Sequence, residues 1–156
     1  MNHNINKNLS DTIRSRCLSY KLTLDHSEIE NILTQYFKSN VYDELNTDFK
    51  SINVSPKFLI NHINFAKENN LDLKNLDIKS QIQYIIDHKS YKKSNFIATY
   101  FQNYIEIYFA KMYSLTKDYR YYDNYLNIIF ENSLINKFNL DLDIFFIKFE
   151  EKYLNI

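Results

Sequence analysis

Not one of the 156 residues is glycine, and that absence excludes more than any residue present implies. Only glycine takes up positive φ without steric cost and lets a backbone lie against a phosphate. The chain therefore has no Walker A loop, no GxGxxG dinucleotide fingerprint and no GxSxG nucleophile elbow. Helix ends that would use glycine in the left-handed region must fall back on asparagine, and "ENNLDL" at Glu68–Leu73 reads as such an end.

The remaining composition agrees with a packed domain. Apolar residues make up 45% and aromatics 17%, too apolar for a disordered segment. Lys+Arg and Asp+Glu number 19 each, so no net field holds the chain on nucleic acid or an anionic membrane. No apolar run approaches the roughly 20 residues of a membrane span, and "MNHNINKNLSD" lacks the apolar core of a signal peptide. The single Cys17 rules out an internal disulfide and a CxxC zinc site. These features predict a reduced, cytoplasmic protein with no membrane segment. The abundant Asn, Ile, Lys and Tyr fit codon bias in an AT-rich genome.

Periodicity predicts helices from residue 25 onward. "CLSYKL", Cys17–Leu22, alternates apolar and polar residues and is the one expected strand. Asp25 and Glu28 form a capping-box pattern ahead of Ile29, Ile32, Leu33, Tyr36 and Phe37. A short helix is expected within Val41–Phe49. Ser55-Pro56 reads as N-cap and first-turn proline for a helix reaching about Asn69, with Phe58, Leu59, Ile63 and Phe65 inward. Leu76–His88 turns Ile78, Ile82, Ile85 and Ile86 to one face. Ser94–Tyr113 repeats apolar pairs every four residues, a stripe broader than one small core is expected to hide. Helices over Tyr119–Phe138, where Tyr121, Tyr122 and Tyr125 with Leu126, Ile129 and Phe130 add to that surplus, and over Asp141–Leu154 complete the chain. The predicted class is all-α, with a small helical module at 23–72 and a four-helix bundle-like module at 74–156.

Chemistry-bearing residues are sparse. His3, His26, His62 and His88 never recur at i+3 or i+4, so no metal site is expected; His62 reads as a surface or half-buried residue. Asp141 and Asp143 fit dipole capping at a helix start, and Glu150/Glu151 a solvated face. Cys17 fits a small core residue. No constellation of acid, base, nucleophile or metal ligands indicates an enzyme, and no cofactor is expected.

One stretch has a specific context. Ser15-Arg16-Cys17, after the turn Asp11–Arg14 and before the expected strand, resembles the SRC motif of clamp-loader ATPase subunits. That family includes bacterial DNA polymerase III gamma/tau and delta-prime and the replication factor C subunits. The frame Thr12–Leu22, "TIRSRCLSYKL", looks especially like delta-prime. The resemblance implies that residues 1–22 are the end of an AAA+ ATPase base, 23–72 a three-helix-like lid and 74–156 a helical collar for oligomerisation. It implies that Arg16 is an arginine finger acting in trans on ATP held by a neighbouring subunit, with Ser15 orienting the turn and Cys17 packing into the strand. Arg14 has no implied role. The implied partners are other clamp-loader subunits and, through them, the sliding clamp and primer-template DNA.

On this resemblance the sequence corresponds to the C-terminal half of a delta-prime-like subunit in DNA replication, non-catalytic by itself and unable to bind ATP alone. Its lid start, Asn53-Val54-Ser55-Pro56-Lys57, lacks the glycines common in relatives. The alternative expectation is a stand-alone helical adaptor unrelated to replication, dimerising or holding a partner through its aromatic stripe.

Overall fold

The computed structural model of the protein describes residues 24–51, 54–138 and 141–154, and every regular element in them is helical. Eight α-helices follow in order: α1 His26–Phe37, α2 Thr47–Lys50, α3 Pro56–Glu68, α4 Ile78–Asp87, α5 Ser90–Lys93, α6 Asn95–Thr116, α7 Arg120–Phe138 and α8 Leu142–Phe149. A π-helical turn, Glu150–Leu154, continues α8. The all-α class is therefore correct. The expected strand Cys17–Leu22 lies outside the described residues.

Local signals set most helix starts. Asp25 caps α1 in a complete capping box: Glu28 N donates to Asp25 at 2.8 Å while Asp25 N donates to the Glu28 carboxylate at 2.8 Å. Ser55 accepts from Phe58 N, with Pro56 in the first turn of α3. Asp77, Ser94 and Asp141 cap α4, α6 and α8 in the same way. The expected helix in Val41–Phe49 shrinks to α2, preceded by turns that bury Val41 and Leu45.

The long helix α6 is the axis of the molecule. Its 22 residues span roughly 33 Å at 1.5 Å per residue. Helices α2, α4, α5 and α7 all pack on it, while α1 packs on α3 and the final π-turn on α4. A single apolar cluster runs from Ile29 to Leu154 through all of these contacts. The four inward isoleucines expected in α4 are buried, as are Phe58, Leu59, Ile63 and Phe65 in α3.

One expectation about exposure is corrected. The stripe of α6 is not left over for solvent: Ile97, Phe101, Tyr104, Ile105, Tyr108 and Phe109 are buried, and Phe96 and Tyr100 pack against the core. Elements on several sides of α6 use a wide stripe that one facing helix could not. The surplus that remains exposed is the part expected on α7, where Tyr122, Leu126 and Phe130 stand outside together with Phe138. Tyr36 of α1 also stands outside, edge-on to Phe37 with centroids 5.0 Å apart.

Among the described residues four take positive φ: Lys38 (55°), Asn70 (53°), Lys89 (49°) and Lys117 (56°). Asn70 lies in the expected asparagine-rich end, but the other three are lysines. Lysine complements the carbonyl end of a helix dipole, which offsets part of the left-handed cost. A non-glycine residue in this region costs roughly 1–2 kcal/mol. Lys38→Gly is therefore expected to raise stability by about 1 kcal/mol, read as a higher midpoint in urea unfolding, with Asn70→Gly giving a smaller gain.

Candidate functional site

The histidines come first, since they hold the most accessible chemistry. His62 is 1% exposed, not a surface or half-buried residue. Its Nδ1 lies 2.9 Å from the Tyr104 hydroxyl, and its ring is stacked on Phe49 (centroids 4.1 Å, 24°) and parallel to Phe58 (6.1 Å, 8°). Burial among these rings pushes its pKa down to about 3, so it stays neutral at ordinary pH. Apolar neighbours on α3 and a tyrosine 42 residues away create this site, and only the first was visible in sequence. His26 Nδ1 sits 3.2 Å from the Tyr42 hydroxyl. His88 stacks on Tyr84 at 4.0 Å and donates through Nδ1 to the Tyr84 carbonyl at 3.0 Å. Among the described residues no group of three or more His, Cys, Asp or Glu could hold a metal ion.

The carboxylates are likewise engaged in structure. Asp141 caps α8, accepting from Asp143 N at 2.8 Å. Asp143 does more than complement a dipole: it accepts from the Tyr91 hydroxyl at 2.7 Å, from Lys92 Nζ at 2.7 Å and from Lys89 Nζ at 3.4 Å. Those bonds, with Lys92 foremost, hold its pKa down to about 2. Glu150, expected on a solvated face, accepts from Gln83 Nε2 at 2.6 Å, while Glu151 is exposed. Sequence reading missed a bridge centred on Lys111 of α6. Its Nζ reaches Asp48 at 2.7 Å and Asp77 at 3.2 Å, and Asp48 also accepts from Ile78 N at 2.9 Å. Burial works against the charge on Lys111, but the two carboxylates outweigh it and raise the pKa. No local pattern links positions 48, 77 and 111, so this bridge is legible only in three dimensions.

Ser15, Arg16 and Cys17, the motif residues, lie outside the described residues, as does His3. What the described surface offers instead is hydrophobic. Tyr122, Leu126, Phe130 and Phe138 stand exposed along α7, with Ile144 and Ile147 on α8. Their four-residue spacing on α7 lays them along one i±4 ridge, the row used when two helices interdigitate. Beside this ridge, the α6–α7 hairpin encloses a cleft of about 390 Å³. Tyr113, Tyr119, Tyr121, Tyr122 and Tyr125 line it together with Phe109, Ala110 and Glu106. Sequence reading had singled out Tyr121, Tyr122 and Tyr125 as surplus apolar surface, without the concavity that joins them.

No protein-family model, curated protein or solved structure matches this chain.

The buried imidazole gives the site a testable pH signature. The folded pKa of His62 is below the unfolded value of about 6.5, so the unfolded state takes up more protons in acid. Stability is then full above about pH 6.5 and declines below it, by up to about 1.4 kcal/mol per pH unit. The loss between pH 6.5 and 5, where most carboxylates are still ionised, is expected to be largely absent in His62→Phe. Urea unfolding at successive pH values measures both slopes. Tyr104→Phe removes the polar partner of the imidazole and is expected to cost about 1–3 kcal/mol at neutral pH.

Proposed function

We propose that the chain is the lid-and-collar part of a delta-prime-like clamp-loader subunit, contributing to sliding-clamp loading in DNA replication through assembly with the other loader subunits. The observation that carries this reading is the Thr12–Leu22 frame with Ser15-Arg16-Cys17, standing directly ahead of a succession of helices from His26 to Leu154. The Ser55-Pro56 start of α3 supports the lid assignment of 23–72, and the bundle around α6 fits a collar at 74–156. On this reading the exposed ridge of α7 is association surface.

Arginine suits the implied role. Its planar, permanently charged fork matches the charge that develops on a γ-phosphate during transfer. A finger supplied in trans is worth about 10³–10⁵ in rate in GTPases. The chain itself, lacking a glycine phosphate loop, serves as the donor of that charge and not as the holder of ATP.

A second reading, a stand-alone helical adaptor, is favoured by one observation. The core is continuous between the two proposed modules, with Phe49 6.2 Å from Tyr104 and Asp48 bonded to the start of α4. Such a unit can stand without an ATPase base.

Reconstitution separates the two. With the loader subunits of the same organism, the protein is expected to co-sediment in a stoichiometric complex. Arg16→Ala is expected to lower the complex's ATP hydrolysis by about tenfold or more while assembly persists, and Arg14→Ala to leave it near wild type. Failure to join any loader subunit would discard the clamp-loader reading and leave the adaptor.

A further inference from the structure

We propose that the cleft in the α6–α7 hairpin is a binding site for a small quaternary or alkylated ammonium ion. It is independent of the clamp-loader reading and rests on three properties of the cleft.

The first is its lining. Five of the chain's 14 tyrosines line this one concavity together with Phe109, which is 6.4 Å from Tyr121 and 6.3 Å from Tyr125. The negative face of an aromatic ring attracts a cation lying within about 6 Å of its centroid, and several rings around one space add their fields. The second is charge. Glu106 is the sole charged residue in the lining. After burial, the charge of Glu106 is the next cause raising the pKa of Tyr125, so it acts on a tyrosine of the lining. An anion is thereby disfavoured and a cation favoured.

The third is rigidity. Lys117 closes α6 in the left-handed conformation, Thr116 Oγ1 donates to Met112 O at 2.8 Å, and Asp118 accepts from Arg120 N at 2.9 Å and Nε at 2.7 Å. Tyr113 and Tyr119 sit 5.7 Å apart across this fixed turn. A backbone turn fixed before binding leaves less order to be imposed by the ligand, which a weak cation–π site requires. The volume lies within the usual range of small-molecule pockets, about 300–1,000 Å³.

Hydrophobic ligands would also enter an aromatic cleft, so the test must isolate the charge. Choline chloride and its uncharged carbon isostere 3,3-dimethylbutan-1-ol are titrated against the full chain at matched ionic strength, followed by amide chemical shifts. Choline is expected to perturb residues of the hairpin saturably and to bind more tightly than the isostere. Tyr122→Leu and Tyr119→Leu keep apolar bulk while removing a ring, at positions 55% and 73% exposed where folding is little affected. Each is expected to weaken choline roughly two- to fivefold, the range of an exposed cation–π contact, with little effect on the isostere. Glu106→Gln is expected to weaken choline and leave the isostere unchanged. Equal binding of the two ligands, no saturable shift in the hairpin, or choline affinity indifferent to all three substitutions would overturn the proposal.

Discussion

The buried contact between His62 and Tyr104 is the constraint around which the described helices are arranged. A polar ring in an apolar interior costs free energy unless its hydrogen-bonding atoms are matched, and this one finds its partner on a helix 42 residues distant. The match fixes the rotation of α3 against α6, because a turn of either helix would separate Nδ1 from the hydroxyl. Phe49 and Phe58 then close on the imidazole from its faces, which brings α2 to the same point. Burial raises the Tyr104 pKa far above that of a free phenol, and it lowers that of His62. Both groups are thus held neutral, and the interior carries a polar bond without a charge.

A charged bond repeats the arrangement at the next level outward. Lys111 lies on the same helix as Tyr104, and it binds the carboxylates that begin α4 and α2. Asp48 is nearly buried, so removing the lysine would strand its charge. Removing one partner of such a pair is strongly destabilising, because the remaining charge is left uncompensated. With no glycine to form tight reversals, the chain bends at lysines and asparagines in strained backbone, and long-range polar bonds then decide which helices meet.

What the sequence disclosed follows the range of each interaction. Caps at Asp25, Ser55, Asp77, Ser94 and Asp141 act over two or three residues, and those that sequence reading singled out, Asp25, Ser55-Pro56 and Asp141, proved to be caps. The isoleucines of α4 act over one helical face, and they too were legible. His62 was misjudged because its burial depends on Phe49 and Tyr104, neither of them local. The Lys111 bridge was invisible for the same reason. The α6 stripe was read correctly as broad but assigned the wrong consequence, since its width is matched by elements packing from several directions. For the site, the tyrosines of α7 were recognised as surplus, while their enclosure depends on how tightly Lys117 and Asp118 fold the hairpin.

The contrast between α6 and α7 explains where binding surface can arise in such a chain. Both helices are apolar around much of their circumference, a pattern that suits a helix buried on all sides. The axial helix α6 has that environment, since four other elements pack on it. The adjoining α7 has α6 on one side, burying Ile128 and Ile135, and keeps Tyr122, Leu126, Phe130 and Phe138 on the other. Packing within the described chain leaves that second face unused, and a ridge of large apolar groups of this kind usually marks a contact. At its N-terminal end the ridge meets the tyrosine cleft through Tyr122, which belongs to both. A partner helix seated along the ridge would therefore cover one wall of the cleft, and occupancy of either would alter access to the other.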